Sequence, residues 1–107
     1  MSKFYNLIGD GSRNGVPVEL IAPGPRKIIK SVLLANVHVA ADATVTLFIQ
    51  DDPESGTTRT FNMLHTVAIP ADSSLFLDNP SMFLFGEEFG LYATVGSSDT
   101  VDIIVNQ

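Results

Sequence analysis

Chemistry in a protein needs a base, a nucleophile, an acid pair or a metal. The residues of this chain that could supply one are few. There are two histidines, His38 and His65. Each falls at a mostly apolar, alternating position, where a histidine serves as a packed or hydrogen-bonded ring. The two can share a metal only if their strands adjoin. Asp51-Asp52-x-Glu54 offers oxygen ligands for a hard cation, but its spacing is not that of a calcium loop. It suits a solvated hairpin tip. Glu87-Glu88 has the form of an exposed turn. Gly9-x-Gly11-x-x-x-Gly15 lacks the Lys-Ser/Thr pair and the following helix of a phosphate loop. Cysteine is absent, which removes disulfides, thiolate nucleophiles and cysteine-ligated zinc. No Ser, His and Asp set has a recognisable context. The expectation is therefore no catalytic residue, no metal and no cofactor.

The aromatic residues are more informative. Phe48, Phe76 and Tyr92 fall in the phase opposite to the apolar stripe of their strands, and Phe83, Phe85 and Phe89 lie close together. Rings on an outer phase are covered either by loops of the same chain or by a partner subunit. The expected subunit or partner contact comprises Phe76, Phe83, Phe85 and Phe89, with Phe4 and Tyr5 of the N-terminal arm, residues 1–10, as a second candidate. Terminal strands with free amides are placed to extend a neighbouring sheet.

The elements that position these residues are strands. Period-two alternation is broken by turn residues roughly every eight to twelve positions, which suits a sandwich or barrel. The runs are 4–8, 16–21, 27–39, 43–50, 58–69, 74–77, 82–85, 89–95 and 101–105. Pro17 places the second at an edge. In 27–39 the phase Ile29, Ser31, Leu33, Ala35, Val37, Val39 is apolar or small and is expected to face the core. In 58–69 the phase is Phe61, Met63, His65, Val67, Ile69. No segment sustains a helical period. The expected fold is all-β, an antiparallel β-sandwich of jelly-roll or immunoglobulin-like type, with about eight strands in one domain spanning 1–107.

Composition narrows the partners. Twelve acidic residues against six basic ones give a formal charge of −6, which repels phosphate backbones and argues against nucleic acid. No apolar run is long enough to span a membrane, and the N-terminus lacks the apolar stretch of a signal peptide. Synthesis in a cytoplasm without export by the usual route is expected. Charged residues make up 17% of the chain, against about 25% in a typical domain. The deficit is consistent with surface covered by a partner.

The segment Val67-Ala68-Ile69-Pro70-Ala71-Asp72-Ser73-Ser74-Leu75-Phe76-Leu77-Asp78-Asn79-Pro80 resembles small virion proteins of tailed bacteriophages. So do Glu87-Glu88-Phe89-Gly90-Leu91-Tyr92-Ala93-Thr94, Val101-Asp102-Ile103-Ile104-Val105 and the stretch from Lys27 to Asn36. The likeness is one of layout, and head decoration and tail or fibre proteins share it. It implies a sandwich without catalytic residues that clips onto an assembled shell. Its partners would be the major capsid protein and copies of itself, as a homotrimer or dimer. It would be made in the host cytoplasm and reside in the virion. The alternatives are a carbohydrate-binding module of a receptor-binding apparatus, to which the absence of Trp is unfavourable, and a small hydrolase or cupin-like enzyme.

Overall fold

Residues 100–106 show why this chain makes sheets: Val101, Ile103 and Val105 are fully buried, while the residues between them are half-exposed. A strand sends successive side chains to opposite faces, so one face of this segment must be roofed by a second layer. The computed structural model describes residues 2–8, 18–24, 28–38, 40–51, 59–96 and 99–107. Within them the strands are β1 (Ser2–Ile8), β2 (Val18–Ile21), β3 (Ser31–Asn36), β4 (Ala43–Asp51), β5 (Thr60–Ile69), β6 (Ser74–Leu77), β7 (Phe89–Val95) and β8 (Thr100–Asn106).

All pairings are antiparallel. β1 pairs with β8, β2 with β7, β3 with β6 and β4 with β5. That is the pairing of one long hairpin ribbon. Rolling the ribbon adds the contacts β3 with β8 and β4 with β7. The result is two four-stranded sheets, β1-β8-β3-β6 and β2-β7-β4-β5. This connectivity is the jelly roll rather than the immunoglobulin arrangement. The core between the sheets includes Val32, Leu34, Val45, Leu47, Leu91, Ala93 and the three inward residues of β8.

Two side chains tie the sheets together. Asn36, buried at the end of β3, donates through Nδ2 to the carbonyls of Ala41, Ile69 and Pro70 at 2.9, 3.0 and 3.3 Å. Its Oδ1 accepts the His38 amide at 2.9 Å. Tyr5 of β1 donates its hydroxyl to the Leu20 carbonyl on β2. Burial, and then the charge of Glu19, push the Tyr5 phenol above its ordinary value. β2 has an irregularity between Glu19 and Ile21 beside Gly90. A Cβ on Gly90 would stand 2.6 Å from the Ile21 carbonyl oxygen, so only glycine permits this approach.

Three expectations change. The run 27–39 is shorter as a strand; Ile29 and Ser31 are buried as expected, Val39 lies outside the described residues, and from Val32 onward the phase is reversed. Val32, Leu34 and Asn36 point inward; Leu33 and Ala35 point outward and are half-buried, and Val37 is exposed. Residues 82–85 form no strand. A short 3-10 helix, Pro80–Phe83, takes their place, capped by Asn79 Oδ1, which accepts the Ser81 amide. In β5 the single phase is interrupted. Its ladder with β4 shifts register between Val45 and Leu47 and again between Leu47 and Phe48, and Thr66 adopts a positive φ of 48°. Such bulges are common on edge strands, where they discourage unwanted pairing.

Candidate functional site

The groups with chemical potential are mostly occupied by structure. The His38 ring is exposed, and its Nδ1 accepts the amides of Ala40 and Ala41, both at 3.1 Å, so it braces a turn. His65 is exposed on β5 in the other sheet. Asp51 is buried at the end of β4 and accepts the Arg59 amide at 2.6 Å and the Arg59 Nε at 2.7 Å. The backbone bond from Arg59, followed by the side-chain bond, holds the Asp51 carboxyl below its ordinary value. Asp51 correspondingly raises the Arg59 guanidinium. Asp52 and Glu54, and the glycine-rich stretch 9–15, lie outside the described residues. Among the described residues no three His, Asp or Glu side chains are grouped as a metal site would require.

The aromatic residues separate into three environments. Phe83 is 4% exposed and belongs to the core. That corrects its place in the expected contact, because a ring already packed inside offers no surface to a partner. Phe89 is also buried: Phe61 meets it edge-on at 5.8 Å, and Arg59 lies over its ring at 5.3 Å. Phe85 is half-buried against the core. Phe48 and Tyr92 do occupy the outward phase of their sheet, but they stack on each other at 5.8 Å, leaving Phe48 buried. Tyr5 is half-buried by its bond to β2. Phe4, Phe61 and Phe76 remain exposed, at 72%, 53% and 53%, with Phe61 on β5 of the other sheet.

Register brings Phe4 and Phe76 into one line. Phe4 on β1 is opposite Ile104 on β8, Ile104 is opposite Leu33 on β3, and Leu33 is opposite Phe76 on β6. An apolar row thus crosses the outward face of all four strands. The neighbouring row is Asn6, Asp102, Ala35 and Ser74. Asn6 donates to the Asp102 carboxylate, and Asp102 is the sole ionisable member of the two rows. A shallow hollow of about 320 Å³ lies over β1 and β8 against Phe4, Asn6, Asp102 and Ile104. At roughly 200 Å² for a free ring, the two phenylalanines alone present about 250 Å² of aromatic surface.

Leu33 and Ile104 are absent from the contact expected from sequence. Their signal is nonetheless visible. Leu33-Leu34 and Ile103-Ile104 are adjacent large aliphatics within strands, and a strand must send one of each pair outward. Leu84, at 84% exposure, and Ile28, at 67%, are further exposed apolar side chains outside the row. Comparison with family models, with curated proteins and with solved structures finds no match.

Proposed function

We propose that this chain is a non-catalytic structural subunit of a tailed-phage virion, a capsid decoration or cement protein that binds the outer capsid surface and stabilises the shell. The observation that supports an assembly role is the apolar row Phe4–Ile104–Leu33–Phe76 on the outward face of its sheet, its two rings exposed and its two aliphatics half-exposed. Rings and aliphatics lined up on one face are suited to contact with another macromolecule. The virion setting rests on the resemblance of the segments around Ile69-Pro70, Gly90-Leu91-Tyr92-Ala93 and Val101-Asp102-Ile103. Two general properties agree with it. Jelly rolls recur in viral capsid proteins, as they do in lectins and cupins, and fold alone does not choose among these. The net charge of −6 suits a part on the outer face, away from packaged DNA.

The mechanism is buried area. A subunit bridging neighbouring capsomers adds contacts that neither makes alone, and many copies on a lattice multiply modest individual affinities. The test is composition and stability of purified particles. The expected result is this chain on the heads at fixed stoichiometry, with stripped particles releasing DNA at lower temperature than decorated ones. Its absence from particles, or particle stability indifferent to its removal, overturns the reading. Location on tails together with glycan-array binding replaces it with a receptor-binding role.

A further inference from the structure

We infer that the hollow over β1 and β8 receives an arginine side chain of a basic partner protein. This rests on the assembly reading above and deepens it, by naming what the partner sets on the outward face of β1-β8-β3-β6.

The hollow measures about 320 Å³ and is lined by Phe4, Tyr5, Asn6, Asp102, Ile103 and Ile104. That is the lower end of the range for ligand sites, about 300–1,000 Å³, and suits one long side chain. Phe4 lies opposite Ile104, and Asn6 lies opposite Asp102. The hollow is therefore apolar at one end and acidic at the other. The two pairs are two residues apart along each strand, about 7 Å. Three methylenes and a guanidinium bridge such a length. The stem lies on Phe4 and Ile104, and the head reaches the carboxylate.

The acidic end has unused acceptors. Asn6 donates through Nδ2 to Asp102 Oδ1. Asp102 Oδ2 and Asn6 Oδ1 have no partner among the described residues. Nor does any cation among those residues lie within ion-pair reach of Asp102; the ion pair they contain joins Arg59 to Asp51, beside the other sheet. Lys3, next to Phe4 on β1, falls in the phase of Val105 and so on the opposite side of the sheet. A guanidinium offers its donors in a rigid planar fork and is more weakly hydrated than an ammonium. It can bond Asp102 Oδ2 and Asn6 Oδ1 together, where a lysine presents one strongly hydrated point charge.

The charge of the chain selects the partner. At −6 it repels a second copy and draws a basic surface. Past Ile104 the row continues through Leu33 to Phe76, which gives apolar ground to the partner residues beside the arginine. Asp102 is half-exposed, so a single ion pair there is weak. Repetition over a lattice supplies the remaining strength.

A nuclear magnetic resonance titration of the intact chain tests this. The probe is an acetylated, amidated alanine–arginine–alanine tripeptide, with the citrulline tripeptide as its uncharged isostere. Shifts are expected to concentrate at the amides of Phe4, Asn6, Asp102 and Ile104, with a dissociation constant of about 1–10 mM that weakens as salt is added. The citrulline probe, and the arginine probe on D102N, are expected to bind at least about fivefold more weakly. F4A, which removes the wall under the stem, weakens binding about threefold. Spectra of both variants that superpose on the wild type away from the hollow verify folding. No response into the tens of millimolar overturns the inference. So do shifts centred elsewhere, an equal response to citrulline, indifference to D102N or F4A, or tighter binding of the lysine tripeptide. These outcomes are independent of particle composition. A chain found on phage heads that ignores the arginine probe refutes the pocket and leaves the virion role standing. A chain missing from particles that binds the probe as described refutes the virion role and leaves the pocket.

Discussion

Asn36 is a polar residue at 2% exposure, and its amide is fully employed. Three carbonyls and one amide from two chain corners converge on it. Replacing it with Ala leaves the buried Ile69 carbonyl and three part-buried groups without this partner, at a cost of about 2–3 kcal/mol. The N36A variant is expected to unfold roughly 10–20 °C below the wild type, given about 4–8 °C per kcal/mol for a domain of this size; scanning calorimetry reads the difference. Asp51 carries a pH signature. Its native carboxyl binds a proton less tightly than an ordinary carboxyl near 3.8. Its ionised form therefore favours the native state above that value, and the contribution is lost as pH falls through the lower native value. Denaturant titrations of D51N across acid pH should show a shallower fall in stability than the wild type. An equal slope would mean that the bonds to Arg59 play no part in acid unfolding.

At the level of strands, the legible features are those in which one face is wholly apolar. Val101-Asp102-Ile103-Ile104-Val105 announces its inward side, and so does Val45-Thr46-Leu47. β3 misleads for a physical reason. Its true inward phase contains the buried Asn36, so it looks mixed, while the outward phase carries Leu33 and Ala35 and looks apolar. Pro80 follows Asn79, a pairing of cap and first-turn residue that starts a helix; the short 82–85 run masks this because Met82, Phe83 and Phe85 are all strand-compatible. The interruptions of β5 leave no mark in the alternation, since an extra residue shifts register without changing composition. Thr66 bears the cost. Its φ of 48° is unfavourable for a β-branched residue, at about 1 kcal/mol or more. Asparagine tolerates that region. T66N is expected to raise the midpoint of thermal unfolding by several degrees, measured by circular dichroism; a lower midpoint would show that the Thr66 hydroxyl bond to the His65 carbonyl outweighs the strain.

Across the whole molecule, alternation and turn spacing made the sandwich legible but not its wiring. A jelly roll and an immunoglobulin-like fold share strand number and patterning, and they differ in which distant segments pair. Here every strand of the first half finds its complement in the second half, so the topology is a property of long-range pairing that no local window contains. The same holds for the candidate surface. Phe4, Leu33, Phe76 and Ile104 are scattered along the chain and become neighbours only through the ladders.

The pairing of β1 with β8 sets Ser2 opposite Asn106. The outer ends of β1 and β8 therefore meet at one corner, and the path of the eight strands is topologically close to a ring. A short covalent bridge at that corner would preserve every ladder, and the polypeptide could be opened instead at the exposed Ala71–Asp72 turn. A segment joined to the outer end of either strand would emerge from that corner, so both orders of connection present it from the same side of the sandwich.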